Sequence, residues 1–131
     1  MRRLKTFIAA TIIFALLCSA IFGISSAVVQ RLGELTALAL ALPEDAGEFS
    51  PPSERLLSQT TQLGVLWEKS MHFFPYIMGY EMLDRADEAA LSLAAYAKSG
   101  EQAEFLAAKT RFLDSVERLR ELFGVNFSAI A

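Results

Sequence analysis

The polar and apolar positions of this chain change pattern several times. Residues 7–29 contain no charged side chain. A helix of that length rises about 34 Å, enough to cross a hydrocarbon core about 30 Å thick. A membrane-spanning helix is predicted there. Residues 30–42, QRLGELTALALAL, carry no breaker except Gly33. They predict either an extension of the span or a short juxtamembrane amphipathic helix beside it. Residues 43–52, PEDAGEFSPP, hold three prolines, one glycine and three acids, the composition of an exposed linker.

Beyond the linker the apolar positions return at helical spacing. Leu56, Thr60, Leu63, Trp67, Met71 and Phe74 recur every three or four residues and predict a helix starting near Ser50 or Ser53, with Pro51 and Pro52 in a first turn that does not need their missing amides. Pro75 and Gly79 mark a kink or turn. Leu83, Ala86, Ala90, Leu93 and Ala97 predict a helix over Tyr80–Ser99, closed by Gly100 as a left-handed cap. Phe105, Phe112, Val116, Leu119 and Phe123 form the stripe of a last helix that starts at Glu101 and is expected to stop at Gly124. The last two helices make an antiparallel hairpin in which alanines admit phenylalanines. No segment alternates as a strand does. The fold class expected is all-α: an N-terminal transmembrane helix followed by a small antiparallel helical bundle over residues 53–131.

Charge distribution orients this plan. Arg2, Arg3 and Lys5 precede the apolar run, whereas all fifteen acids lie beyond residue 33. The positive-inside rule puts residues 1–6 in the cytoplasm and the helical domain outside the cytoplasmic membrane of a bacterium. A cleavable signal peptide is the competing reading, with small residues at Ser19-Ala20 and Ser25-Ser26-Ala27, although the apolar run is longer than such a peptide needs. Both readings export the chain beyond residue 30. Past Lys5 nine cations face fifteen acids, a balance of −6, which excludes nucleic acid as a partner and disfavours adhesion to anionic lipid. The single cysteine, Cys18, lies within the apolar run. It leaves no internal disulfide or thiolate cluster, and Leu17 before it does not suit lipid attachment.

The chemistry-bearing residues assemble into no catalytic set. His72 is the only histidine, too few for a two-histidine metal site, and it reads as a surface or interface residue. Phosphate-binding glycine loops and the Gly-x-Ser-x-Gly elbow are missing from the sequence. Glu81, Asp84 and Glu88 share one helical face beside Asp87, but a single straight helix rarely supplies the converging oxygens calcium needs, and Arg85 comes four residues after Glu81, so a solvated face is the simpler reading. Neither an enzyme nor a cofactor is expected.

The segment MHFFPYIMGYEML is too rich in apolar and aromatic residues for one core stripe. With the preceding tryptophan it supplies the candidate interaction residues Trp67, Met71, Phe73, Phe74, Tyr76, Met78, Tyr80 and Met82. An exposed patch of this kind marks a protein or membrane contact; burial of both sides by neighbouring helices is the alternative. The expected partners are another membrane protein or a second copy of this chain, besides the bilayer around residues 7–29. A second reading makes the same patch the lining of an apolar pocket in a ligand-binding or sensing module.

The succession of a basic start, one spanning helix, Trp67 in the next helix, YEMLDRADEAALSLAAYAKSG, AEFLAAKTRFLDSVERLREL and the apolar NFSAI resembles the family of single-pass Firmicute membrane proteins called domain of unknown function 4363. Leu83, Asp84, Ala86 and Tyr96 fall at places that match the family's helical His-x-x-Ile-Asp-x-Ile pattern and its later tyrosine. Tyr80 stands where that pattern has histidine, and the segment PEDAGEFSPP is longer than the family's linker. The resemblance implies a membrane location, a helical domain and a membrane partner, and it carries no activity.

Overall fold

The computed structural model describes residues 2–130, with side chains over residues 2–123. Its helices are α1 (Arg2–Leu40), α2 (Glu54–Ser70), the single turn α3 (Phe74–Ile77), α4 (Tyr80–Ser99) and α5 (Gln102–Ile130), with a 3-10 turn at Ala46–Glu48. The described residues form no strand, and the chain is all-α as its periodicity predicts.

The second half of α1, α2, α4 and α5 close an antiparallel four-helix bundle. Each helix packs on the next in chain order and α5 returns to α1, with α4 and α5 the most extensive pair. Short connections between long amphipathic helices favour this up-down-up-down ring. Its axis is filled by Leu32, Leu35, Leu56, Leu63, Leu83, Leu93, Phe105, Phe112 and Val116, all fully buried. Each such side chain withdrawn from water contributes about 1.5–3 kcal/mol before conformational entropy is set against it.

The structure redraws one boundary. Helix α1 is unbroken from Arg2 to Leu40, and its Val28, Leu32, Leu35 and Ala39 are buried, as is Leu42 just beyond it. These five positions are spaced four, three, four and three, the seam of a packed helix. Residues 30–42 are therefore an extension of the apolar helix and a full member of the bundle, which includes α1 from Ser25 onward instead of beginning at residue 53. The other part of α1 projects from the bundle as an arm. From Leu4 to Ile24 its large apolar side chains are left uncovered, and by length and composition the helix can cross a membrane.

Residues 43–52 are not a free linker either. Phe49 is buried and meets the edge of Phe105 with ring centroids 5.0 Å apart. Lys109, itself buried, donates to the Leu42 carbonyl at 3.5 Å and to the Glu44 carboxylate at 2.7 Å. An ammonium at the carbonyl end of α1 suits the negative end of the helix dipole. Gln102 donates to the Glu44 carbonyl at 2.7 Å. The hydrogen bond and charge of Lys109 hold the Glu44 carboxyl below its ordinary value of 4.5. At the entry to α2, Ser53 donates to Glu48 and accepts from the Leu56 amide, capping the helix.

Helix α4 spans the residues its pattern predicts, and Leu83, Ala86, Ala90, Leu93 and Ala97 are all buried. Gly100 closes it at φ 71°. The Glu101 amide donates to the Tyr96 carbonyl and that of Gly100 to Ala97, the paired bonds of a Schellman cap. A Cβ at Gly100 would run into the Phe49 carbonyl oxygen, so this glycine serves both the cap and the docking of the 43–52 segment. The expected stop at Gly124 is overturned, since α5 stays helical to Ile130. Glycine weakens a helix interior by about 1 kcal/mol but does not end it unless a left-handed turn comes next.

Candidate functional site

The end of the bundle nearest the arm is built by the passage from α2 to α4. Helix α2 stops at Ser70 because Pro75, one turn ahead, can give no amide to a continuing helix. The chain winds through single-turn bonds instead: His72 to Lys69, Phe73 to Ser70 and Tyr76 to Phe73, each amide to carbonyl. Pro75 then occupies the first turn of α3, where its missing amide is harmless. Met78 donates to the Phe74 carbonyl at 2.7 Å, and Gly79 leads into α4 in extended conformation.

This elbow divides the eight candidate residues in two. Trp67, Phe74 and Met78 belong to the core, and Met71 and Phe73 are half-buried against it. The Trp67 ring meets Phe112 at 5.6 Å and Phe74 at 6.2 Å, both edge to face, a geometry that lets ring edges meet ring faces. Its indole N–H donates to Asp87 at 2.9 Å. Trp67 thus ties α2 to α3, α4 and α5 at once. Tyr76, Tyr80 and Met82 remain outside, 90%, 67% and 43% exposed, joined by Ile77 at 39%. Phe74 and Met78 lie four residues apart, as do Tyr76 and Tyr80, and the elbow presents these pairs to opposite sides.

Arg31 fixes the elbow to α1. Its guanidinium donates to the Ser70 hydroxyl at 3.1 Å, lies 5.4 Å from the centre of the Phe73 ring and approaches Glu34 at 3.7 Å. Ser70 is fully buried and passes its own proton to the Leu66 carbonyl, so its hydroxyl is satisfied in both directions. The helical stripes read from the sequence leave Arg31 out. The signal available was a lone cation between the buried positions Val28 and Leu32.

The remaining candidates for chemistry stand apart. His72 is exposed, and so are Glu81, Asp84 and Glu88. Asp87 is engaged by Trp67. Among the described residues no three of His, Cys, Asp and Glu come together as a metal site requires. A shallow groove of about 300 Å³ between α4 and α5 is lined by Glu81, Met82, Arg85, Ser115, Arg118, Leu119 and Leu122. Of the eight candidates it takes only Met82. Comparison with family models, curated proteins and solved structures finds no match for this chain.

Proposed function

We propose that this chain is a single-pass membrane protein that holds its helical bundle on the outer face of a bacterial cytoplasmic membrane, where it acts as an interaction or structural protein without catalysis. The observation that carries this reading is the unbroken course of α1. One helix supplies both a bare apolar arm, which needs lipid around it, and a buried seam of the bundle, which needs the other helices. A cleaved signal sequence fits less well. Both small-residue sites lie in mid-helix, whereas proteolysis favours exposed, non-helical chain. The basic start supports a cytoplasmic N-terminus.

The partner is another membrane protein or a second copy of the chain. The ligand-binding reading has less support, because Trp67, Phe74 and Met78 are buried in the core, where the Trp67 ring packs against Phe74 and Phe112.

Single cysteines test the topology. In a Cys18→Ser background, Ala46→Cys on the outward turn should react with a membrane-impermeant maleimide in intact cells, and Thr6→Cys should react only after permeabilisation. The opposite pattern overturns the proposed orientation, and release of the bundle as a shorter soluble chain overturns the anchor.

A further inference from the structure

The height of the elbow relative to the apolar arm is fixed by its contacts. Ser70, the last residue of α2, lies level with Arg31 through their 3.1 Å hydrogen bond, and Arg31 is the first charged residue after the uncharged run of 7–29. Helix α2 runs antiparallel to α1, so the chain beyond Ser70 continues toward the arm. Three residues below Arg31, about 4.5 Å along the axis, Val28 is fully buried. The elbow therefore occupies the level at which an embedded α1 leaves hydrocarbon for headgroups.

The exposed side of the elbow has the chemistry of that layer. Tyr76 and Tyr80 are tyrosines with a hydroxyl at the tip of an apolar ring, the side chain enriched where membrane meets water. Ile77 and Met82 add aliphatic surface beside them. On the adjoining α5, Leu122 is also exposed, and the sequence after Glu121, LFGVNFSAIA, carries no charge. Helix α5 counts 29 residues against 20 for α4, its hairpin partner. Its backbone thus runs past the start of α4 by about nine residues, roughly 13 Å, toward the lipid.

We infer that the elbow is an interfacial foot: Tyr76, Ile77, Tyr80 and Met82 seat in the headgroup and upper acyl layer beside the spanning helix, so that the bundle rests on the bilayer surface. This deepens the proposed function and rests on its premise that residues 7–29 span. The lipid surface is favoured over a protein partner because Arg31 fastens the elbow, through Ser70 and Phe73, to the same unbroken helix that carries the span, which brings every copy of the elbow against lipid before any partner arrives. The attachment is apolar and aromatic. The balance of −6 beyond Lys5 opposes adhesion to anionic lipid, so zwitterionic phosphatidylcholine, of zero net charge, suffices and added anionic lipid does not strengthen the contact.

Depth-dependent fluorescence quenching of the full chain in phosphatidylcholine vesicles tests this. The native Cys18 carries the probe as a reporter of the span. Tyr76→Cys and, independently, Tyr80→Cys carry it on the foot in a Cys18→Ser background. Ala95→Cys, exposed on α4 fifteen residues beyond Tyr80 and about 22 Å farther from the arm, is the control. Lipids spin-labelled near the headgroup should quench positions 76 and 80 severalfold more than position 95, and lipids labelled deep in the acyl chain should quench position 18. Quenching at 18 with positions 76 and 80 no better quenched than 95 overturns the foot while the span stands. Absence of quenching at 18 removes the span and the foot together. Energy transfer between probes on different copies at position 76, without quenching by lipid, overturns the foot in favour of self-association.

Discussion

Replacing Trp67 probes the junction of four helices. Trp67→Phe keeps an aromatic ring but removes the N–H that donates to Asp87 at 2.9 Å, and it leaves about 40 Å³ unfilled. At about 24 cal/mol per Å³ the void costs about 1 kcal/mol. A hydrogen bond to a charged acceptor contributes about 1.5–3 kcal/mol, and the lower figure applies because Asp87 is only half-buried and water can replace the indole. The expected loss is therefore about 2.5 kcal/mol for Trp67→Phe and about 3–5 kcal/mol for Trp67→Ala. With Asp87→Ala as the second arm of a double-mutant cycle, the two sites should couple by about 1 kcal/mol. Denaturant unfolding of the full chain in detergent micelles, followed by far-UV circular dichroism, measures the four proteins of the cycle and Trp67→Ala. The wild type has its sole tryptophan at this position, so fluorescence should report the same transition. Coupling within about 0.3 kcal/mol of zero would refute the Trp67–Asp87 bond as a tie between α2 and α4. A loss under about 1 kcal/mol for Trp67→Ala would refute its place at the centre of the core.

Three other substitutions bear on separate parts of the structure. Gly100→Ala puts a Cβ on a residue at φ 71° and against the Phe49 carbonyl, and should lower stability by about 2 kcal/mol or more in thermal unfolding, with Lys98→Ala as a neutral control on the same helix end. The Glu44 carboxyl is held below 4.5 by Lys109, so its contribution is complete above that value and is lost as pH falls through the lowered folded value. Melting temperatures of wild type and Glu44→Gln should accordingly differ at neutral pH and converge in acid, and a constant difference would dismiss the pair. Arg31→Ala should cost about 1–2 kcal/mol and speed amide exchange over residues 71–80; Arg31→Lys should recover little of this, because an ammonium reproduces neither the delocalised charge over the Phe73 ring nor the guanidinium geometry toward Ser70.

Much of the fold is legible in the sequence where the deciding interactions are local. Helix α4 carries its stripe and its Gly100 cap within its own residues, and both of its ends are marked there. The role of residues 30–42 depends on partners elsewhere in the chain: Val28 and Leu32 pack in a seam that α2 and α5 complete, so in sequence the segment resembles a neighbour of the membrane instead of part of the bundle. Phe49 is hidden by its company, since the prolines and acids around it describe a loop while one ring anchors that loop to Phe105. The aromatic segment stands out as a unit, but its pattern does not resolve it. Its two faces come from the turn that Pro75 imposes, with Phe74 and Met78 directed inward and Tyr76 and Tyr80 outward, and no single helical period describes a stretch that changes direction. For a chemical site the sequence offers one histidine and a face of acids, and the structure leaves His72, Glu81, Asp84 and Glu88 exposed, with no metal-binding group of three formed among the described residues.

The absence of any joint in α1 between its bare arm and its packed seam has a mechanical result. A flexible tether would let a domain turn freely above the lipid, whereas a continuous rod transmits every inclination of its embedded part. From Ser25 to Leu40 the rod extends about 22 Å, so a lean of about 20°, ordinary for a single helix adjusting to bilayer thickness, sweeps the distal tip sideways by about 8 Å. In the proposed membrane setting, bilayer thickness would thereby set the bearing of the whole bundle, as the angle of a post sets that of whatever is fastened to it.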